Sequence, residues 1–304
     1  MRICVALGVL AACQGGSKPT QREGSAQPAV AEGAADPWAT GKDNAAAGHC
    51  EQQPFKDTTP LAEASGAAWL EVGGKLSLVV VADSGNTGDY AILDPDQGDT
   101  RELGKLPLGK PGDDIEGLAA HGDKLFGLTS DGWMRVWRRA GKGFELVDGP
   151  YPIGSEADGF SCPVEARCPI NYEGLALAAK PQGGCAGFAC SKGDGHIYCL
   201  TERDGRYVVD ATRRIKVTRT NVIGDCAFDD QDRLWVGNNV FGMDQVFRVD
   251  GWGDPAAAKV VSTNAFGIGN SEVIAGRGDV MYRMSDTGGS PSLLAKFRCS
   301  APTR

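Results

Sequence analysis

Asn171-Tyr172-Glu173-Gly174-Leu175-Ala176 is the stretch of sequence that decides the fold, because variants of it recur along the chain. Each copy joins an acidic or Ser-containing turn to small and apolar residues, and a hairpin pattern follows. The other four copies are Ala64-Ser65-Gly66-Ala67-Ala68, Ile115-Glu116-Gly117-Leu118-Ala119, Gly224-Asp225-Cys226-Ala227-Phe228 and Ser271-Glu272-Val273-Ile274-Ala275. Aligned on residues 65, 116, 173, 225 and 272, the copies are 51, 57, 52 and 47 residues apart. Repeats of this length that contain several strands are typical of propeller blades.

Between the copies, segments rich in β-branched and aromatic residues are separated by Gly, Asp and Asn, which is the pattern of β-strands and turns. The sequence therefore predicts an all-β protein, a five-bladed β-propeller over residues 49–300 with a short tail at 301–304. The fifth repeat has room for few strands after residue 280. We expect a segment within 53–61 to supply the missing outer strand, which would cover an exposed sheet edge.

The first residues resemble an export signal. Residues 1–12 combine a basic start, a short apolar run and small residues before Cys13, and the run is too short to span a bilayer. Leu10-Ala11-Ala12-Cys13 resembles the bacterial lipobox, which implies a lipid on Cys13 and an exported protein anchored in the cell envelope. Gln14 after the cysteine implies the outer membrane if the source is Gram-negative. The alternative is a soluble exported protein with an incidental Cys13.

Residues 13–48 are rich in Gly, Ala, Ser, Pro and Gln, so they cannot bury enough apolar surface to fold, and we interpret them as a flexible tether. Ten cysteines are present; with Cys4 in the signal and Cys13 lipidated, an even number remains, which suggests disulfides in an exported chain. We expect Cys162–Cys168 within one loop and Cys50–Cys299 between the domain ends. The other four, which are Cys185, Cys190, Cys199 and Cys226, are expected to pair among themselves in an order that the sequence leaves open.

Acidic residues recur at the same place in the repeats. Because the innermost strand of each blade starts near one mouth of the central channel, Glu116, Glu173, Asp225 and Glu272 are expected to meet there, with Ser65 completing the ring. Such clustered carboxylates need raised pKa values or a cation, and Ca²⁺ suits irregular oxygen ligands. The four acids are therefore predicted metal ligands. A second polar set, after the next strand of each blade, is expected at the same mouth: Asp83, Asp131, Asp194, Asn238 and Asp286.

Two other roles remain open for these acids. They could accept hydrogen bonds from backbone N–H groups of a neighbouring blade and so hold the ring together, or one of them could act directly in catalysis. The turns Ser65-Gly66, Asp114-Ile115-Glu116-Gly117-Leu118, Asn171 to Ala176 and Asn270-Ser271-Glu272 resemble those of SdiA-regulated-type and phytase-like (esterase-like) five-bladed propellers. This resemblance implies a five-bladed fold and a calcium ion near the axis.

Two functions fit the sequence. The first is a membrane-anchored, non-catalytic module that binds calcium and a ligand, which could be a small molecule or a protein. The second is a calcium-dependent phosphoesterase or esterase. The chain has no Gly-x-Ser-x-Gly motif, and its basic residues nearest upstream of the acids are Lys110 and Arg219, which weakens the second hypothesis. The net charge of −8 argues against nucleic acid as a partner.

Overall fold

The computed structural model describes residues 50–83, 85–110, 114–163, 168–218, 222–239, 245–262 and 268–299, and these residues form 21 β-strands. Two short strands come first: β1 (Cys50–Gln53) and β2 (Thr58–Ala62). The first blade contains β3 (Ala64–Val72), β4 (Lys75–Ala82), β5 (Asp89–Leu93) and β6 (Thr100–Lys105). The second contains β7 (Ile115–His121), β8 (Lys124–Thr129), β9 (Trp133–Arg139) and β10 (Phe144–Pro152).

The remaining blades follow in chain order. The third contains β11 (Tyr172–Gln182), β12 (Cys185–Ser191), β13 (His196–Arg203) and β14 (Arg206–Lys216). The fourth contains β15 (Ile223–Phe228), β16 (Leu234–Asn238), β17 (Val246–Asp250) and β18 (Lys259–Ser262). The fifth contains β19 (Asn270–Arg277), β20 (Val280–Asp286) and β21 (Pro291–Cys299).

Five antiparallel sheets make up the predicted five-bladed propeller. The innermost strands β3, β7, β11, β15 and β19 each contact the next one around the ring, and β19 contacts β3 to close it. Buried apolar side chains fill the spaces between neighbouring blades, as in the cluster of Leu128, Tyr172 and Leu200 between the second and third. Burial of these apolar side chains is the main favourable contribution to the stability of the fold.

The repeated Gly has a steric cause. A Cβ added at Gly117 would lie 2.4 Å from the backbone nitrogen of Leu175, and one at Gly66 would lie 2.8 Å from that of Leu118. At Gly174 the corresponding distance, to the nitrogen of Cys226, is 2.6 Å. At these three positions the adjacent inner strands approach so closely that only glycine fits, which explains the Gly of the motif in the first three blades.

The ring closes through the N-terminal segment, as predicted. β1 and β2 both pair with β21, so the outer strand of the fifth blade is supplied in two pieces rather than one. Cys50 lies opposite Cys299 in this pairing, and a disulfide joins the two residues, whose Cα atoms are 4.0 Å apart. The first and last strands of the domain are therefore fastened both by hydrogen bonds and by a covalent bond.

Three further disulfides are present in the described residues. Cys162–Cys168 joins residues of one loop and is the second pair expected from the sequence. The four remaining cysteines pair among themselves as Cys185–Cys199 and Cys190–Cys226. The Cys185–Cys199 bond connects β12 to β13 within the third blade, whereas Cys190–Cys226 ties the third blade to the inner strand of the fourth.

Several predictions concern residues outside the described ranges. The signal at 1–12, the lipidated Cys13, the tether at 13–48 and the tail at 301–304 all lie there, as does Arg219. Among the residues that the structure does describe, no helix is long and apolar enough to cross a membrane.

Candidate functional site

Each inner strand carries a β-bulge near its start. The strand register shifts between residues 64 and 66, 115 and 117, 172 and 174, 223 and 225, and 271 and 273. A bulge leaves one residue unpaired and redirects its side chain. The bulged residues, one from each blade, are Ser65, Glu116, Glu173, Gly224 and Glu272. They lie at the end of the channel where the inner strands begin, which we name the mouth.

The strand register corrects the predicted alignment at the fourth blade. Asp225 was expected to match Glu116 and Glu173, but Gly224 is the bulged residue and Asp225 pairs with Gly237. Asp225 therefore matches Gly117 in the second blade. The fourth blade contributes no side chain at its bulge, and the carboxylates at the bulges come from the second, third and fifth blades.

Asp225 connects blades. Its carboxylate accepts a hydrogen bond from the backbone N–H of Ile274 in the fifth blade at 3.0 Å and from that of Cys226 at 2.7 Å. The residue is 1% exposed, and burial raises its pKa well above the ordinary value, against the lowering effect of these two N–H groups and of Arg283. Ser65 has a similar role, because its hydroxyl donates to the carbonyl of Ile115 in the second blade at 2.6 Å. These contacts match the alternative of blade-to-blade hydrogen bonding.

One side of the mouth holds a compact group of three carboxylates. Oxygens of Asp83, Asp114 and Glu116 all lie within 4.8 Å of one another. Asp114 stands two residues before the bulge and was not predicted as a site residue; its carboxylate accepts a hydrogen bond from the hydroxyl of Ser130. Burial raises the pKa of Glu116 well above its ordinary value, and the nearby charges of Glu173, Asp83 and Asp114 raise it further. This is the arrangement that a cation would stabilise.

The other side of the mouth contains a lysine. The Nζ atom of Lys192 lies 3.0 Å from Oε1 of Glu173 and 3.7 Å from Oε1 of Glu272. Burial lowers the pKa of Lys192, but the two carboxylates raise it more, so that it exceeds the ordinary value. Lys110, one of the two basic residues nearest upstream of the acids in sequence, is exposed. Lys192 is thus a site residue that sequence reasoning missed.

Amide side chains support the two glutamates beside Lys192. Asn171 donates to Oε1 of Glu173 at 2.8 Å, and Asn239 and Asn270 donate to Oε1 of Glu272 at 3.2 and 3.3 Å. Burial raises the pKa of Glu173 to about 8, even though Lys192 lowers it. Burial also raises the pKa of Glu272. The glutamates are therefore held in fixed positions by neutral donors and by one ammonium group.

The register also identifies, in each blade, the residue that stands opposite the position two before the bulge, at or just after the end of the second strand. In each blade this residue comes directly after the partner of the residue that precedes the bulge. The five residues are Asp83, Ser130, Lys192, Asn239 and Asp286. Of the second polar set expected from the sequence, only Asp83 and Asp286 occupy these positions. Asp286 pairs with Asn270, whose amide donates to Glu272, so Asp286 lies near the mouth, where its negative charge raises the pKa of Glu272.

The other three members of that set take part in local hydrogen bonds. Asp131 accepts a bond from the hydroxyl of Thr129, and Asp194 accepts one from Tyr198. The side-chain oxygen of Asn238 accepts the backbone N–H of Gln245 at 2.7 Å. Asp131, Asp194 and Asn238 lie one or two residues from Ser130, Lys192 and Asn239, because the turns between strands differ in length from blade to blade.

The fold and the mouth define a class, a five-bladed propeller with an acidic channel mouth, and comparisons with known proteins give the fold alone. No family model and no curated protein matches the chain. A solved structure of the Myxococcus xanthus glutaminyl cyclase is similar over 83% of this chain and 97% of that one, with a TM-score of 0.50 and 12% identity.

Two further solved structures are similar at lower scores. A luciferin-regenerating enzyme is 10% identical over 83% of this chain and 95% of its own, with a TM-score of 0.48. A gluconolactonase from Xanthomonas campestris is 12% identical over 84% of this chain and 96% of its own, with a TM-score of 0.42. Membership of the SdiA-regulated or phytase-like families stays a prediction.

Proposed function

We propose that this protein is an exported, lipid-anchored binding module whose channel mouth takes a calcium ion at Asp83, Asp114 and Glu116. The observation that carries the proposal is the convergence of these three carboxylates within 4.8 Å. Calcium prefers six to eight oxygen ligands and tolerates irregular geometry, so three carboxylates with water would suit it. The sequence predicted Glu116, Glu173, Asp225 and Glu272 as metal ligands. The proposal keeps Glu116 and replaces the other three with Asp83, which was expected at the same mouth, and Asp114.

The charge balance of the mouth favours a cationic occupant. Lys192 is the only basic side chain that the described residues place against Glu173 and Glu272, and those two glutamates already surround it. Glu116 carries a pKa raised by burial and by its acidic neighbours. A divalent ion would remove this repulsion, whereas an anionic ligand without a metal would add to it.

A catalytic alternative, a calcium-dependent phosphoesterase or esterase of phytase-like type, draws support from the buried acids. Glu173, with a pKa of about 8, could exchange a proton near neutral pH. A phosphate-binding site needs a basic residue beside the acids, and Lys192 is such a residue. Its ammonium is engaged by two carboxylates, however, so it is poorly placed to bind a phosphate, and we favour the binding module.

Calcium should raise the melting temperature of the purified protein by several degrees, and a chelator should abolish the rise, because a ligand that binds only the folded state stabilises it. Asp83→Asn and Glu116→Gln should each remove most of this rise by deleting a ligand charge. Differential scanning fluorimetry across a calcium titration measures the effect. Asp96→Asn, on an exposed turn, serves as the control and should respond to calcium as the wild type does.

An unchanged melting curve in calcium would show that the proposed ion site is wrong. The same preparations separate the module from the enzyme. Hydrolysis of aryl phosphate or aryl ester that requires calcium and disappears in Glu173→Gln would favour the catalytic alternative. Calcium-dependent stabilisation without hydrolysis would favour the binding module.

Anchoring depends on the lipobox-like Leu10-Ala11-Ala12-Cys13. We expect Cys13→Ser to move the protein from the membrane fraction to the soluble fraction, because the tether has no other feature that would hold it at a bilayer. Fractionation of cells producing either form, with immunoblotting, measures this. Cys4→Ser is the matched control and should leave the protein in the membrane fraction; equal membrane association of the wild type and Cys13→Ser would refute the lipid anchor.

A further inference from the structure

Lys192 lies where the ring of bulged side chains is interrupted. The fourth blade has Gly224 at its bulge and so contributes no side chain there. Lys192 directly follows β12 in the third blade, and its Nζ lies 3.7 Å from Oε1 of Glu272 in the fifth. The ammonium therefore connects the third and fifth blades, which lie on either side of the fourth.

The surroundings of this ammonium are those of a cation site. Two buried carboxylates approach it, at 3.0 Å from Glu173 and 3.7 Å from Glu272. Asn171 holds Glu173, and Asn239 and Asn270 hold Glu272, so the oxygens keep their positions without the lysine. Fixed carboxylates with neutral supporting donors are a preformed site for positive charge.

We infer that Lys192 is a tethered cation that fills a second cation subsite of the mouth, between Glu173 and Glu272. The wild-type channel then takes one divalent ion, at Asp83, Asp114 and Glu116, and a variant without the ammonium takes a second ion at the position of Nζ. The number of ions expected for the wild type rests on the proposed function. The second subsite itself rests on the observed position of Lys192 between Glu173 and Glu272.

The physical reason is electrostatic. Removing the ammonium leaves two buried carboxylates in a mouth that also holds Glu116, and the charges of these groups act on one another. The carboxylates must then either bind protons or bind a cation. Because one divalent ion can neutralise both carboxylates at once, whereas each bound proton neutralises only one, a high pH favours binding of the ion.

The test is the number of calcium ions bound per chain, measured by isothermal titration calorimetry at pH 8.5 on the full chain. Lys192→Met keeps a similar side-chain length without the charge, and we expect it to bind one more ion than the wild type. Lys192→Arg keeps the charge and should bind as many as the wild type. Lys180→Met, at an exposed lysine of the same blade, is the control for the loss of a positive charge elsewhere.

The outcomes separate this inference from the proposed function. If the wild type binds one ion and Lys192→Met also binds one, the tethered-cation inference is wrong and the calcium site stands. If the wild type binds none and Lys192→Met binds one, the inference stands and the calcium site is wrong. Should Lys192→Met fail to fold, the melting-temperature response of Lys192→Gln to calcium replaces it, and a response no larger than that of the wild type counts against the inference.

Discussion

Replacing Cys50 and Cys299 with serine should lower the free energy of unfolding by about 5 kcal/mol, because the disulfide closes a very long loop of the unfolded chain. The two cysteines are 249 residues apart in sequence, and the bond joins β1 to β21. Without it, the unfolded chain gains the entropy of free ends, while the hydrogen bonds between these strands remain. Urea denaturation of the double variant and the wild type measures the difference.

The Cys162–Cys168 bond provides the matched control. Its residues are 6 apart in sequence, so the serine double variant should lose only about 2 kcal/mol. The order of the two effects is the informative result. If both double variants lose the same stability, loop entropy does not explain the role of the Cys50–Cys299 bond, and strand pairing alone closes the ring.

Asp225→Ala should lower the free energy of unfolding by about 4 kcal/mol, because two buried backbone N–H groups lose their acceptor. The N–H groups belong to Ile274 and Cys226. Asp225→Asn should have an intermediate effect, since an amide offers only one acceptor atom. Urea denaturation again measures the change.

Asp279 is a suitable control for the loss of an aspartate. Its side chain is exposed, and its Oδ2 atom lies 3.3 Å from Nε of Arg298. Asp279→Ala should therefore lower the free energy of unfolding by no more than about 1 kcal/mol. A loss in Asp225→Ala as small as that of the control would mean that the link between the fourth and fifth blades does not depend on this carboxylate. The calcium response of Asp225→Ala, if it folds, should persist, because Asp225 is not among the proposed ligands.

The fold could be predicted because its determinants are local and repeated. In Glu-Gly-Leu-Ala, the glycine allows the close contact between inner strands and the apolar residues pack between blades, so both features depend on residue type. The closing strand could also be anticipated, since the fifth repeat leaves a sheet edge to be covered. Cysteine pairing was predictable only for Cys50–Cys299 and Cys162–Cys168, where chain topology or short separation left few options.

The site was harder to predict because it depends on register. A shift of one residue in a strand moves a side chain to another face, and the sequence shows an acid at 225 where the bulge is at Gly224. A search for recurring acidic residues could not identify Lys192, because its side chain is basic. Its position after β12 is nevertheless equivalent to that of Asp83 after β4, and a search by position rather than by charge would have found it.

The bulged residues differ in charge from blade to blade, and this difference has a consequence for recognition. Five identical acids around an axis would offer an incoming molecule five equivalent orientations. Here Gly224 and Ser65 replace the acid in two blades, and Lys192 neutralises one side only. The pseudo-rotational symmetry of the scaffold is thereby lost at its rim, so a molecule that docked there would not have five equivalent orientations.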